Sequence, residues 1–415
     1  MPSKRVLMIA YHFPPLAGSS GIQRTLRFVQ HLPAFGWQPL VLSAQPRAYE
    51  RTTADLDADV PMGTVVRRAF ALDAARHLSV RGRYVAALAR PDRWVSWKFD
   101  AVRVGLRLIR EYKPKVIWST YPIATAHLIG AELHRRSGIP WVADFRDPMA
   151  QEGHPADPVT WQHYDAIEKH ALAHATMSIF TTPGAARVYR ERYPAFASRV
   201  AVVENGFDEE SFVAAEADRS VVVPLRPGAV TLLHSGIVYP SERDPTQLMA
   251  ALQRLKKSGR IDSLRLRIRF RAAVHDEFLH TLAREHGVDD LIETLPAVAY
   301  RDALREMRCA DGLLVMQASN CNEQIPGKLY EYLRAARPIL CLSDPVGDTA
   351  GLLRRAGVDM IASLGSVDSI SEILPRFLEL VQAESAPLPL PAYVERASRR
   401  GRTQQLAEYL DRCLA

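Results

Sequence analysis

The chain has 415 residues, 47% of them apolar and 24% charged, which supplies ample core material and exceeds one ordinary domain of about 100–200 residues. No apolar run approaches the roughly 18–20 residues of a membrane span, and Val6–Ala10 is too short for a signal-peptide core, so a cytoplasmic protein is expected. The formal charge is +7, but eight of the 53 basic residues are lysine and 45 are arginine, a bias that reads as codon usage, and no nucleic-acid motif accompanies it. Cys309, Cys321, Cys341 and Cys413 have neither paired spacing nor a neighbouring His cluster, and read as reduced thiols.

Short apolar runs alternate with longer stretches of helical period, which predicts parallel sheets with crossover helices. Arg5–Ala10 reads as a strand, followed by a loop to Gly21, a helix over Ile22–Leu32 and a strand at Gln38–Ser43. Residues 81–115 carry ten basic side chains against three acids, with Tyr84, Trp94, Trp97, Phe99 and Tyr112 interleaved. That mixture suits peripheral contact with an anionic membrane, and equally a solvated helix face with core aromatics. Further strands are expected at Val116–Ser119, Trp141–Asp144, Met177–Phe180 and Val200–Val203, with helices at Trp97–Tyr112, Ala124–Arg136, Pro158–Ala175 and Gly184–Arg192. Residues 1–205 thus form one doubly wound, Rossmann-like domain.

Glu204–Arg226 holds Asn205-Gly206 and Pro224 with little periodicity, and marks a boundary. The pattern restarts with strands at Ala229–His234, Leu264–Phe270, Ile292–Leu295, Gly312–Met316 and Pro338–Leu342. Helices are expected at Pro245–Ser258, His275–His286 and Tyr300–Arg308, with one ending before Pro338. Residues 206–385 form a second Rossmann-like domain. The proline-rich Ser385–Pro391 reads as a stiff linker, so residues 386–415 are a linker and a C-terminal helix packing back towards the N-terminal domain. The architecture predicted is α/β, two doubly wound domains facing across a cleft, with ligands at the carboxyl ends of the strands.

Four loops follow predicted strands directly. Gly18 and Gly21 in the first permit close backbone approach to a phosphate at a helix start. The second is Asp144-Phe-Arg-Asp-Pro148, where buried charges are costly unless paired or functional; an ion pair of Arg146 with an aspartate and an active-site role are both open. In the third, Gly236 opens the chain to a ligand and Arg243 can fork onto phosphate oxygens. The fourth, Asn322-Glu-Gln-Ile-Pro-Gly-Lys-Leu-Tyr-Glu331, aims a helix N-terminus, the cation Lys328 and the carboxylates Glu323 and Glu331 at one point. An anion is favoured at such a helix start, and a carboxylate one turn further in can accept from sugar hydroxyls, so a nucleotide-sugar fits. Asp55-Leu-Asp57-Ala-Asp59 reads as a solvated loop, and no residue set has metal-ligand spacing.

In order and spacing, Tyr11-His-Phe-Pro-Pro15 with Gly18 and Gly21, Asp144-Phe-Arg-Asp-Pro148, Glu204-Asn-Gly-Phe-Asp208, His234-Ser-Gly236, Arg243-Asp-Pro245 and Glu323-x7-Glu331 resemble a retaining glycosyltransferase of the GT-B fold, family 4-like. The resemblance spans nearly the whole chain. It implies transfer of a hexosyl or related group from a nucleotide-sugar to a polysaccharide, lipid-linked saccharide or small-metabolite hydroxyl, with retention and without a metal or other cofactor. It assigns the acceptor to the N-terminal domain, with Arg146 and Asp147 as catalytic candidates, and the donor to the C-terminal domain. There Glu331 would hold the ribose, Glu323 the transferred sugar, and Arg243 and Lys328 the diphosphate. The chain departs from the family pattern in several places. Gln324-Ile-Pro326 replaces small glycine-rich residues and Pro326 offers no N–H; Arg146 stands where many relatives carry His; the usual basic pair after the first C-terminal strand is reduced to Arg243. Ala336 occupies a helix end where glycine is expected, at a cost of roughly 1 kcal/mol if left-handed. These departures keep open an inactive binding or scaffold protein; a sugar-nucleotide epimerase on the same scaffold is a second alternative, which needs acids and His around the donor and has His234 as its one obvious candidate.

Overall fold

The computed structural model describes residues 4–19, 21–217 and 224–414. The chain divides into two compact units, Met1–Asn205 with Arg399–Ala415, and Gly206–Ser398.

In the first unit the described residues form seven parallel strands: β1 (Lys4–Ile9), β2 (Trp37–Ala44), β3 (Val65–Ala69), β4 (Val116–Thr120), β5 (Trp141–Arg146), β6 (Met177–Phe180) and β7 (Val200–Val202). Their order is β3-β2-β1-β4-β5-β6-β7. The central strands are continuous apolar runs, as expected where helices cover both faces of a parallel sheet. Val6, Leu7, Met8 and Ile9 of β1 are all fully buried, and Trp37, Trp97, Trp118 and Trp141 fill the layers around them. Strand order reverses between β1 and β4, which pair with Ile9 opposite Ser119. The loops after β1, β4 and β5 therefore gather where such sheets bind ligands. β3 escapes sequence reading because its Val-Val-Arg-Arg-Ala run places arginines on an edge strand, where no apolar alternation is required.

The closing helix Arg399–Arg412 packs on the helix Gly21–His31, and its Leu406, Ala407 and Leu410 join the core around Phe28 and Trp37. Asp411 pairs with Lys4 and accepts from Trp37 Nε1 at 2.9 Å. The return to this unit comes at Arg399, later than position 386. Residues 386–398 sit with the second unit: Leu390 N–H donates to Ala356 O at 2.8 Å and Ala397 is buried in its core.

The second unit repeats the plan. Its described residues form β8 (Val230–Ser235), β9 (Leu266–Arg271), β10 (Ile292–Leu295), β11 (Gly312–Gln317), β12 (Ile339–Ser343) and β13 (Ile361–Ala362), in the order β10-β9-β8-β11-β12-β13. All are parallel, with Leu313 opposite Leu233 at the reversal between β8 and β11. Part of the stretch read as a boundary, residues 218–223, lies outside the described residues. Within it, Glu209–Glu216 is a helix capped by Asp208, whose carboxylate accepts from Ser211 N–H at 3.2 Å. The helices Asp348–Arg355 and Val367–Gln382 complete the unit. The four cysteines are free thiols.

Candidate functional site

In the first unit the loop after β1 returns through Gly18, which is left-handed at φ +79°, to the helix beginning at Gly21. Gly21 has no room for a side chain. A Cβ there would lie 2.8 Å from Arg146 Nη1 and closer still to His12 Nδ1. Its N–H is engaged by Ser19 Oγ at 3.2 Å, and Ser19 Oγ also meets His12 Nδ1 at 3.1 Å. The glycine therefore admits two side chains over the helix start. Burial, then the neighbouring Arg146 charge, lowers the His12 pKa to about 4, so His12 is neutral at physiological pH.

Arg146 owes its position to a break in β5. Pairing with β6 shifts register between Asp144 and Arg146, and Arg146 is left-handed at φ +61°. A bulge of this kind re-aims a side chain, and the conformation costs a bulky residue roughly 1–2 kcal/mol. Thr181 holds it by donating to Arg146 O from N–H at 3.0 Å and from Oγ1 at 2.8 Å. The guanidinium reaches Gly21 O at 3.4 Å, while its Nε is buried with no hydrogen-bond partner. An Arg146–aspartate pair is not what satisfies Asp144. Asp144 is fully buried, receives Arg24 Nε and Nη2 at 2.9 Å each, and accepts from Thr120 Oγ1 at 3.0 Å. Arg24 also donates to Val203 O at 2.9 Å, so it ties the first helix to the ends of β5 and β7. Asp147 is exposed just beyond the bulge.

In the second unit the loop after β8 and the helix Lys328–Ala335 meet. Gly236 is left-handed at φ +108°, and a Cβ on it would lie 3.2 Å from Lys328 Nζ. Its space is taken by the lysine. Lys328 Nζ donates to His234 Nε2 at 2.8 Å, and His234 Nδ1 donates to Leu314 O at 3.0 Å. This pair of bonds requires a neutral imidazole carrying its proton on Nδ1. Burial, then Lys328, holds the His234 pKa well below its ordinary value. Lys328 is pushed down to about 7, by burial first and by Arg243 second, with Glu331 acting in the opposite direction. Arg243 lies over the Tyr239 ring at 5.3 Å and donates to Ile237 O at 3.1 Å, while its Nε is buried without a partner. A buried lysine lowered by a neighbouring arginine marks a site short of negative charge.

Glu331 stands in the first turn of this helix and accepts from Tyr300 OH at 2.8 Å. Glu323 lies in the preceding loop, after the 3-10 turn Ser319–Cys321. That loop is anchored from both sides of Glu323. Asn322 Nδ2 donates to Asp344 at 2.8 Å, Asp348 N–H donates to Asn322 O at 2.8 Å, and Thr349 Oγ1 donates to Gln324 O at 3.1 Å. Leu329 N–H and Tyr330 N–H turn back to Pro326 O and Gly327 O, at 3.0 and 3.2 Å. Ala336 is left-handed, at φ 52° and ψ 44°. Among the described residues no group of three or more His, Cys, Asp or Glu has metal-binding proximity.

Thus Gly236, Arg243, Lys328 and Glu331 come together in one unit, while Gly18, Gly21, Arg146 and Asp147 belong to the other. Sequence reading passed over His12, Arg24 and Tyr300 as site residues. His12 was within reach, since it lies three residues past β1; Arg24 and Tyr300 look like ordinary helix residues until the helices are docked.

Residues 20–206 match a family model described as a glycosyl transferase 4-like domain. A glycosyltransferase from Rickettsia africae ESF-5 is similar with a TM-score of 0.65 and 11% identity, over 99% of this chain and 99% of that one. Anabaena Alr3699/HepE, in a crystal structure with UDP, gives 0.63 and 14%, over 99% and 100%. The α,α-trehalose 6-phosphate synthase of Burkholderia multivorans gives 0.60 and 11%, over 99% and 99%. No curated protein matches the chain in sequence. Identities this low bear on the fold.

Proposed function

From a chain that carries a glycosyl transferase 4-like domain over residues 20–206 and has the two Rossmann-like domains of the GT-B fold, we infer a glycosyltransferase that moves a sugar from a nucleotide-sugar donor to an acceptor hydroxyl. The observation that carries this reading is the Lys328–Arg243 pair beside the helix start at Lys328, with Glu331 in its first turn. A diphosphate supplies the missing negative charge, and ribose hydroxyls suit the carboxylate. The similar Anabaena protein binds UDP, which supports a nucleotide donor.

In this mechanism the bond from the sugar's anomeric carbon to the donor phosphate breaks as a bond to the acceptor oxygen forms. Lys328 and Arg243 stabilise the charge developing on the departing diphosphate, work that two cations and helix N–H groups perform without a metal. The acceptor proton passes to the departing phosphate oxygen, and the acceptor enters from the leaving-group face, so configuration is retained. Glu323 accepts hydrogen bonds from hydroxyls of the transferred sugar. We assign the acceptor, a polysaccharide, lipid-linked saccharide or small metabolite, to the first unit. There Arg146 contributes positive charge, and Asp147 a carboxylate that accepts a hydrogen bond from an acceptor hydroxyl and orients it.

Calorimetry with UDP and related nucleotides, alongside release of labelled sugar from their nucleotide-sugars, tests the reading. Glu331→Ala should weaken nucleotide affinity about 10- to 100-fold, the loss of one or two charge-assisted hydrogen bonds, with an unchanged fold. Unchanged affinity sinks the ribose assignment. Donor bound yet never consumed favours a scaffold protein, and epimerised donor without acceptor favours an epimerase.

We also propose peripheral contact with an anionic membrane through residues 81–115. Val85, Leu88 and Phe99 are exposed there beside Arg81, Arg83, Lys98 and Arg103, whereas Trp97 is committed to the core. No helix among the described residues is long and apolar enough to cross a membrane. Flotation with phosphatidylglycerol liposomes should succeed at low salt and fail at high salt. Equal recovery with neutral liposomes overturns the proposal.

A further inference from the structure

We propose that a polar groove on the second unit is a saccharide-binding subsite separate from the Lys328–Arg243 pair. The groove encloses about 420 Å³ at the carboxyl ends of β11, β12 and β13, within the range of small-molecule sites. Gln317 ends β11, Asp344 and Ser363 directly follow β12 and β13, and all three line it together with Asp244 and Ser319. None of Gly236, Arg243, Lys328 or Glu331 is among its lining residues.

Gln317 is the informative residue. Only 3% of it is exposed, and its Oε1 is buried with no hydrogen-bond partner. The amide orientation follows from its other end, since Nε2 donates to Cys321 O at 3.3 Å and leaves Oε1 as the orphan. A buried acceptor without a partner is costly; Gln317 lines the groove, so a rotation of its amide towards the groove would let a ligand's donor remove that cost. The rest of the lining is also rich in acceptors. Asp344 accepts from Asn322 Nδ2 at 2.8 Å and Val346 N–H at 3.1 Å. Asp244 accepts from Thr246 N–H at 2.9 Å and Thr246 Oγ1 at 2.6 Å through one oxygen. A carboxylate has about four acceptor positions, so both retain capacity.

The described lining residues include two carboxylates and no lysine or arginine. Such a groove repels phosphates and selects a ligand rich in hydroxyl donors. Leu364 and Ala318 add apolar surface for a sugar-ring face. The subsite is also coupled to the donor loop, because Asp344 holds Asn322, the neighbour of Glu323.

Sugar binding in this groove does not depend on which nucleotide the chain uses, and one experiment separates the two. Saturation-transfer NMR is recorded on the full chain, saturated with UDP, against glucose, galactose, mannose, rhamnose, N-acetylglucosamine and maltose. At least one sugar should bind under UDP saturation, and Gln317→Leu should weaken it roughly tenfold, the loss of about one good hydrogen bond, while calorimetric UDP affinity is unchanged. Ser363→Trp, which puts a bulky ring on a partly exposed lining residue, should abolish binding and keep the melting temperature. Three results overturn the subsite: no sugar binds with or without UDP, both variants bind as the parent does, or spermidine binds where no sugar does. UDP binding failing while sugar binding persists would strike the donor reading alone.

Discussion

Lys328 carries the most chemistry of any single side chain. Its pKa near 7 arises from burial and from Arg243, so an incoming diphosphate should raise it by adding the opposite charge. The sign follows: the protonated lysine binds the anion, so affinity is full below about pH 7 and declines above it. His234 does not share this titration, because its pKa is held far below that window. Calorimetry of UDP binding near pH 7.5, in buffers of differing ionisation enthalpy, should show net proton uptake that vanishes in Lys328→Met. Absence of any difference between the two proteins would remove Lys328 from the anion site. Arg24 teaches a different lesson at this scale. A buried arginine with a bidentate aspartate and two backbone acceptors resembles a catalytic constellation, yet every bond it makes is internal, and its work is to fasten a helix to strand ends.

Among elements, the helix Lys328–Ala335 is short and ends badly. Ala336 adopts the left-handed conformation in which glycine carries no steric cost. Ala336→Gly should therefore stabilise the second unit by about 0.5–1 kcal/mol, less any gain in unfolded-chain entropy, with nucleotide affinity unchanged. Urea titration reads this directly, and a destabilised variant would show that the strain is compensated elsewhere. β5 stores strain for a purpose that can be traced. Its bulge turns Arg146 out of strand register towards Gly21 and His12, where an in-register residue would face a sheet layer.

Across the molecule, the two α/β units are similar in plan but not independent in chain order, because residues from Arg399 onwards return to complete the first. Leu406 and Leu410 bury against Phe28 and Trp37, at roughly 1.5–3 kcal/mol for each such side chain. Deleting residues 399–414 should lower the first unit's unfolding temperature by many degrees and leave UDP affinity in the second unit intact. Coincident loss of both would mean that the units fold as one cooperative body.

Periodicity placed most strands and helices within a residue or two, because buried parallel strands must be apolar runs and covering helices must carry a stripe. It missed β3, the helix Glu209–Glu216 and the helices after β12, where arginines, acids or small residues break the apolar pattern. The placing of the Glu323–Glu331 motif, the Gly236 loop and the cations after strand ends was likewise legible, since residue types at a fixed distance from an apolar run can be read without the fold. Only the tertiary structure decided their use. It filled the space at Gly236 with Lys328 and the space at Gly21 with His12 and Arg146, and it gave Asp144 to Arg24. Local spacing determines which groups reach a strand end; which of them pair with one another depends on helix docking, and no one-dimensional pattern encodes that.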